Sequence, residues 1–99
     1  MQLKNLTKLN AARNRIKYLS GKIGECTRLQ MINLDCNLLE MMPSEISQLS
    51  QCLQILKLSQ NRLRQLTLSM REMHSLQILN LTQNKLMELP DGLSELQNL

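Results

Sequence analysis

A single asparagine position recurs along the chain at a nearly fixed interval. Its four copies are Asn14, Asn37, Asn61 and Asn84, which are separated by 23, 24 and 23 residues. Each copy lies in the same frame, L-x-x-L-x-L-x-x-N-x-L-x-x-L, in which Ile, Met or Ala replaces some of the leucines. Self-similarity at a period of this length indicates that each repeat is one structural unit and that stacked units share a continuous core.

Two segments of each repeat have a recognisable local pattern. Before each asparagine, apolar residues alternate with polar ones, which is the period of a half-buried strand. We predict four short parallel strands, which contain Leu9–Ala11, Ile32–Leu34, Leu56–Leu58 and Leu79–Leu81. After the asparagine, apolar anchors three residues apart are typical of a 3₁₀ or single α turn. These anchors are Ile23 and Cys26, Ile46 and Leu49, Met70 and Met73, and Leu93 and Leu96.

The frame resembles that of the leucine-rich-repeat family, and it covers nearly the whole chain. Residues 42–49 and 89–96 read M-P-x-x-I-x-x-L and L-P-x-x-L-x-x-L. These segments are similar to the intracellular 23-residue subclass, which includes Ras-suppressor and scribble-type scaffold proteins. Ser20 and Thr67 depart from the subclass pattern, because it has proline at their positions.

The resemblance implies both a fold and a function. The expected fold is an α/β leucine-rich-repeat solenoid, or horseshoe, with a parallel β-sheet on the concave face and turns with short 3₁₀ or α segments on the convex face. The expected function is a non-catalytic protein–protein interaction module or scaffold in intracellular signalling. Its partner binds on the concave face, and a small GTPase is the leading class of partner.

The period also predicts the domain organisation. Residues 1–99 form a single domain with repeats 6–28, 29–52, 53–75 and 76–98, and Leu99 opens a fifth repeat. An extra residue within Ser50–Cys52 accounts for the one longer interval. We recognise no polar capping repeat at either end, although solenoids normally need one for solubility. The chain is therefore expected to be a fragment or truncated product, and a structural spacer in a larger receptor, kinase or scaffold is the alternative function.

The recurring asparagine is predicted to have a structural role. A short amide side chain donates and accepts hydrogen bonds at once, so it can satisfy backbone groups where a strand turns. This ladder needs no catalytic or glycan-binding explanation, because geometry alone accounts for it. The triplets at 5–7 and 80–82 match the pattern of glycosylation acceptors, and their modification stays an open question.

The exposed strand and turn positions contain the candidate partner-binding residues. From the strands through the asparagine turns there are eight basic residues against three acidic ones, whereas the convex remainder has four against five. An acidic protein surface is the natural complement, although the charge would also serve solubility alone. We assign partner binding to Arg13, Arg15, Met31, Ile55, Lys57, Arg62, Arg64, Ile78, Asn80 and Lys85. The three apolar members form a row that either contacts a partner or merely suits strand positions.

No enzyme site is predicted. The chain has one histidine, no paired carboxylates at recurrent spacing on the strand face and no glycine-rich phosphate loop. The best candidate ligands for a metal ion are Cys26, Cys52 and His74. We reject this set because its outer members begin about two strand spacings apart, whereas zinc ligands lie roughly 2.0–2.3 Å from the ion. We therefore predict no catalytic, cofactor-binding or metal-binding residue.

Nucleic-acid binding is the weaker alternative function, and the predicted location is cytoplasmic. The isoelectric point near 9.3 favours nucleic acid. Tyr18 is the only aromatic residue, however, which leaves no stacking platform for single strands. The N-terminal segment lacks the apolar core of a signal peptide, no stretch approaches the length of a membrane span, and the number of cysteines is odd. We expect no membrane insertion.

Overall fold

The computed structural model describes residues 5–65 and 72–86, and these form one parallel sheet. Its strands are β1 (Lys8–Asn10), β2 (Met31–Asn33), β3 (Ile55–Lys57) and β4 (Ile78–Asn80). They lie in the order β1-β2-β3-β4, and every pair is parallel. Each repeat thus adds one strand beside the previous one, which confirms the predicted α/β solenoid.

The register of the sheet aligns equivalent positions of the sequence frame. Leu9 pairs with Ile32, Ile32 with Leu56, and Leu56 with Leu79. Each of these residues is the central position of its strand, and Ile32 and Leu56 are completely buried. Residues on either side of this position therefore lie on the opposite, outward face of the sheet, because side chains alternate along a strand.

The strands end one residue earlier than the sequence pattern predicts. Ala11, Leu34, Leu58 and Leu81 follow the strands instead of lying in them. Backbone bonds still join neighbouring repeats there, for example from the Leu34 N–H to the Lys57 carbonyl at 2.8 Å and from the Cys36 N–H to the Ser59 carbonyl at 2.9 Å. The regular ladder then stops because the Leu34 carbonyl accepts from side-chain amides, at 3.0 Å from Asn37 and 2.9 Å from Asn61.

The convex side contains the predicted 3₁₀ turns in the first two repeats. They span Gly21–Glu25 and Ser44–Leu49, and they pack against each other. Ile23, Ile46 and Leu49 are their buried anchors. Met73 is buried as well, whereas the predicted anchors Met70, Leu93 and Leu96 lie outside the described residues.

The departure from proline at Ser20 has a physical explanation. Ser20 precedes the first 3₁₀ segment with φ −65° and ψ 143°, and Pro43 precedes the second with φ −68° and ψ 146°. The ring of Pro43 restricts the backbone to this φ. Ser20 instead stabilises the turn with its hydroxyl, which accepts a hydrogen bond from the Lys22 N–H at 3.1 Å. The equivalent Thr67 lies outside the described residues.

The core lies between the sheet and the convex segments, and it is most completely buried in the middle repeats. Among the described residues, the fully buried large side chains include Leu29, Ile32, Leu34, Leu39, Met42, Ile46, Leu49, Leu53, Leu56, Leu58, Leu63, Met73 and Leu76. The corresponding residues of the first repeat, such as Leu9 and Ile16, are only partly buried. Within the described ranges, no helix is long and apolar enough to cross a membrane.

Candidate functional site

The outward face of the sheet carries an apolar row. Met31, Ile55 and Ile78 occupy the first position of β2, β3 and β4, and the register places them side by side. Ile78 is 48% exposed, whereas Met31 and Ile55 are half-buried. The structure therefore brings these three predicted residues together. We call them the apolar row.

The last strand position forms a second row, in which asparagine recurs. This strand-end row consists of Asn10, Asn33, Lys57 and Asn80. The Oδ1 atom of each asparagine accepts a hydrogen bond from the N–H two residues later, at 3.1–3.2 Å. Asn80 Oδ1 also accepts from the Thr82 hydroxyl at 2.9 Å. The partner-binding prediction for Asn80 missed this structural role, although its recurrence in three of four repeats could have indicated it.

Lys57 is the exception in the strand-end row, because an ammonium group cannot accept a hydrogen bond. The N–H of Ser59 is nevertheless satisfied. It donates to Oδ1 of Asp35 at 2.8 Å, so the preceding repeat supplies the acceptor that Lys57 lacks. Asp35 thus has a structural partner, and Lys57 is free of any role in its own turn.

The turn asparagines form the predicted ladder. Asn61 Nδ2 donates to the carbonyls of Leu34, Leu58 and Ser59 at 2.9–3.1 Å. Its Oδ1 accepts from the Leu39 N–H at 3.0 Å, so one amide joins two repeats. Asn37 and Asn84 make the equivalent contacts in their own repeats. Asn37 and Asn61 are both buried, with exposed fractions of 4% and 6%. Asn14 is exposed, and among the described residues it bonds only within its own repeat.

The residue before each turn asparagine has a left-handed backbone. These residues are Arg13, Cys36, Gln60 and Gln83, with φ between 54° and 60°. Non-glycine residues rarely adopt this conformation, and none of these types is strongly suited to it. In the middle of the row, the Cys36 thiol donates to Oε1 of Gln60 at 3.1 Å. Arg13, one of the predicted partner residues, is therefore held at a constrained turn rather than on the sheet.

Four predicted cations follow the turn asparagines, and we call the surface that they form the turn edge: Arg15, Arg62, Arg64 and Lys85. Backbone bonds stack this edge, including Arg62 N–H to Leu39 carbonyl at 2.8 Å and Lys85 N–H to Leu63 carbonyl at 2.9 Å. Arg62 and Lys85 thus occupy equivalent positions in adjacent repeats. Arg15 is separated from them by Leu38, which has the equivalent position in the second repeat.

The turn-edge cations are available to a partner. Arg15, Arg62, Arg64 and Lys85 are all exposed. Among the described residues, their charged groups form no ion pair or hydrogen bond. The structure thus divides the predicted site into two groups. Lys57, Arg62, Arg64 and Lys85 belong to the third and fourth repeats, and Lys57 lies two residues from Ile55 on β3, whereas Arg13 and Arg15 belong to the first repeat.

The cysteines provide no metal centre in the part of the chain that the structure describes. Cys26 is buried in the core, as predicted, and all three cysteines are free thiols. Burial raises the pKa of the Cys52 thiol, whose Sγ donates to the Leu49 carbonyl at 3.6 Å. Across residues 5–65 and 72–86, no group of three His, Cys, Asp or Glu side chains comes together to hold an ion.

Known proteins show which family this chain is similar to. A family model described as leucine rich repeat matches residues 27–86. In a solved structure, a leucine-rich-repeat protein of Leptospira interrogans is 37% identical, with a TM-score of 0.91, over 96% of this chain and 24% of its own. Curated protein sequences contain no match.

Two plant receptors have similar structures. The ectodomain of the Arabidopsis thaliana receptor kinase GASSHO1/SCHENGEN3, in complex with CASPARIAN STRIP INTEGRITY FACTOR 2, is 29% identical with a TM-score of 0.83, over 97% of this chain and 12% of that one. The plant peptide hormone receptor RGFR1, in complex with RGF2, is 28% identical with a TM-score of 0.82, over 97% and 16%. The chain thus spans about a quarter or less of the length of each of these three structures.

Proposed function

The chain belongs to the leucine-rich-repeat family, and we propose that it is a protein-binding module whose partner contacts the sheet face and the adjoining turn edge. Proteins of this family generally mediate protein–protein interactions and are typically non-catalytic. The observation that carries the proposal is the apolar row of Met31, Ile55 and Ile78, aligned by the register and lying beside Lys57. Protein interfaces typically combine an apolar centre with a polar rim.

The charge of the third and fourth repeats indicates a partner with an acidic surface. Lys57 lies on the sheet, and Arg62, Arg64 and Lys85 are exposed on the turn edge of the same two repeats. Complementary charge of this kind mainly raises the association rate and selects among partners. Basic charge suits an acidic protein and nucleic acid alike, so the apolar row and the lack of an aromatic stacking platform are what favour the protein.

The finer part of the proposal is a cytoplasmic signalling partner, with a small GTPase as the leading candidate. The subclass resemblance of residues 42–49 supports it, as do three free thiols, which are usual in a reducing compartment. A peptide ligand outside the cell is the second candidate, because two similar structures are plant receptors solved with ligands of their own. A spacer segment within a larger protein is the third.

Charge reversal on two faces tests the proposed surface. We expect Arg62→Glu with Arg64→Glu to slow association with the partner and to flatten its salt dependence, because exposed charges steer encounter and are screened by salt. Lys22→Glu with Arg28→Glu is the matched control, since both residues are exposed on the convex side and the change in charge is the same. The partners are first captured from cytosol, and association is then measured with purified proteins at low and high salt.

Each outcome of this experiment separates the alternatives. If only the convex variant loses the partners, the binding site lies on the convex side and the proposed surface is wrong. Capture of RNA or DNA would support the nucleic-acid function, and capture of nothing would support the spacer. Direct binding to a panel of purified small GTPases, each loaded with a GTP analogue or GDP, tests the finer proposal.

A further inference from the structure

The strand-end row presents hydrogen-bond donors without matching acceptors. The side chains of Asn10, Asn33 and Asn80 each bond to the backbone N–H two residues later. An N–H is a donor, so the side-chain atom that it bonds is the acceptor Oδ1. The Nδ2 group of each amide is therefore the one left over. Among the described residues it forms no hydrogen bond. Each such group carries two N–H donors.

Lys57 places a positive charge in the middle of these donors. The register sets it between Asn33 on β2 and Asn80 on β4. Neighbouring strands lie about 4.7–4.9 Å apart, so one acceptor group can reach two adjacent side chains of the row. Because Asp35 satisfies the Ser59 N–H, Lys57 can interact with a ligand without any loss to its own turn.

We propose that the strand-end row binds a carboxylate of the partner, between Lys57 and Asn80, and that this carboxylate belongs to an extended segment. This inference rests on the proposed function, because it assumes a protein partner on the sheet face. A carboxylate is the complementary group, since it accepts several hydrogen bonds and bears the opposite charge. The Asp35 carboxylate in the second repeat disfavours an anion near Asn33, so the Asn80 side of Lys57 is the favourable one.

The neighbouring apolar row determines the spacing of the bound segment. Ile55 and Lys57 lie two residues apart on β3, and Ile78 and Asn80 have the same relation on β4. Side chains two apart on an extended chain point to one side and are separated by roughly 6.4–6.8 Å. A partner segment that runs along the strands, with an acidic and an apolar residue two positions apart, matches both rows. Residues two apart on a helix do not face the same side.

A substitution that retains the structural acceptor tests this inference. Asn80→Asp keeps an Oδ1 for Thr82 but replaces the free donor with a negative charge. We expect it to weaken binding roughly tenfold or more, because hydrogen bonds to charged groups are strong and the reversed group repels the ligand. Asn10→Asp is the matched control, since Asn10 accepts the same bond from the N–H two residues later and undergoes the same charge change three strands away. Lys57→Asn supplies an in-repeat acceptor and should also weaken binding.

The probes are short immobilised peptides in a Gly-Ser background, each with one Glu and one Leu adjacent, two apart or three apart. Wild type should bind the two-apart peptide best, and thermal unfolding should show that all three variants are folded. Equal loss with Asn10→Asp and Asn80→Asp, or no preference for spacing, would overturn the inference.

A fourth variant separates this inference from the proposed function. Ile55→Ser removes apolar contact from the sheet face and leaves the strand-end row unchanged. If captured protein partners are lost with Ile55→Ser but retained with Asn80→Asp and Lys57→Asn, the module binds as proposed and the carboxylate site is wrong. If Ile55→Ser retains them as well, the sheet face is not the partner site and both proposals fail.

Discussion

At the scale of single residues, each repeat depends on one amide side chain for its turn. The buried Asn37 and Asn61 use both polar atoms of the side chain, and they connect backbone groups of two successive repeats. An aliphatic residue cannot replace either function. The left-handed residue that precedes each turn asparagine adds a backbone constraint at the same place, so the turn is the most exacting part of the repeat.

Replacement of the amide tests this dependence. We expect Asn61→Ala to lower the free energy of unfolding by roughly 1–3 kcal/mol, because it leaves buried carbonyls and the Leu39 N–H without partners. Asn14→Ala should cost less, since Asn14 is exposed and water can replace its two bonds. Urea denaturation of both variants measures the difference. Equal losses would argue against a ladder whose strength depends on neighbours on both sides.

At the scale of elements, the two 3₁₀ segments approach closely because glycine faces the next repeat. A Cβ atom added at Gly24 would lie 2.5 Å from Oε1 of Gln48 and 2.7 Å from the Glu45 backbone oxygen. One at Gly21 would lie 2.7–2.9 Å from the Glu45 carboxyl group. The backbone atom cannot move without disturbing the second segment, whereas the carboxyl group is the end of a flexible side chain.

This difference predicts unequal effects of the same substitution. Gly24→Ala should destabilise the protein by roughly 1–3 kcal/mol, the usual cost of forcing extra atoms into a packed site. Gly21→Ala should have a much smaller effect, because rotation of the Glu45 side chain relieves its contact. Thermal unfolding of the two alanine variants provides the comparison, and a larger loss at Gly21 would contradict this account of the packing.

At the scale of the whole molecule, stability comes from contacts between successive repeats. A repeat cannot bury its own apolar face, so the burial of a given position depends on how many neighbours it has. The residue that directly follows each strand illustrates this. Leu34 and Leu58, in the middle of the sheet, are completely buried, whereas Ala11 and Leu81 at its two sides are only half-buried.

Truncation of this position in two repeats tests the dependence on neighbours. Leu58→Ala should cost about 2–5 kcal/mol through lost burial and a cavity. Leu81→Ala should cost clearly less, because its side chain is already partly exposed to water. Urea denaturation midpoints and slopes report the result. Similar losses at both positions would mean that the core is not graded along the solenoid.

Much of the fold could be predicted from the sequence, because the repeat period and the alternation of apolar residues act locally in every unit. The pairing of Leu9, Ile32, Leu56 and Leu79 follows from their equivalent places in the frame. The same argument correctly predicted the alignment of the apolar row and the structural role of the turn asparagines. The partner-binding assignments themselves stay predictions.

Only the tertiary structure decided which polar atoms remain available on the sheet face. In the sequence, Asp35 is an acidic residue and Lys57 an anomaly in a column of asparagines. The structure joins them through the Ser59 N–H, 24 residues from Asp35, and leaves the Nδ2 groups of the strand-end asparagines unpaired. Local patterns predict which residues share a row. Hydrogen bonds between repeats depend on distances that exist only after the repeats have stacked, so no local pattern specifies them.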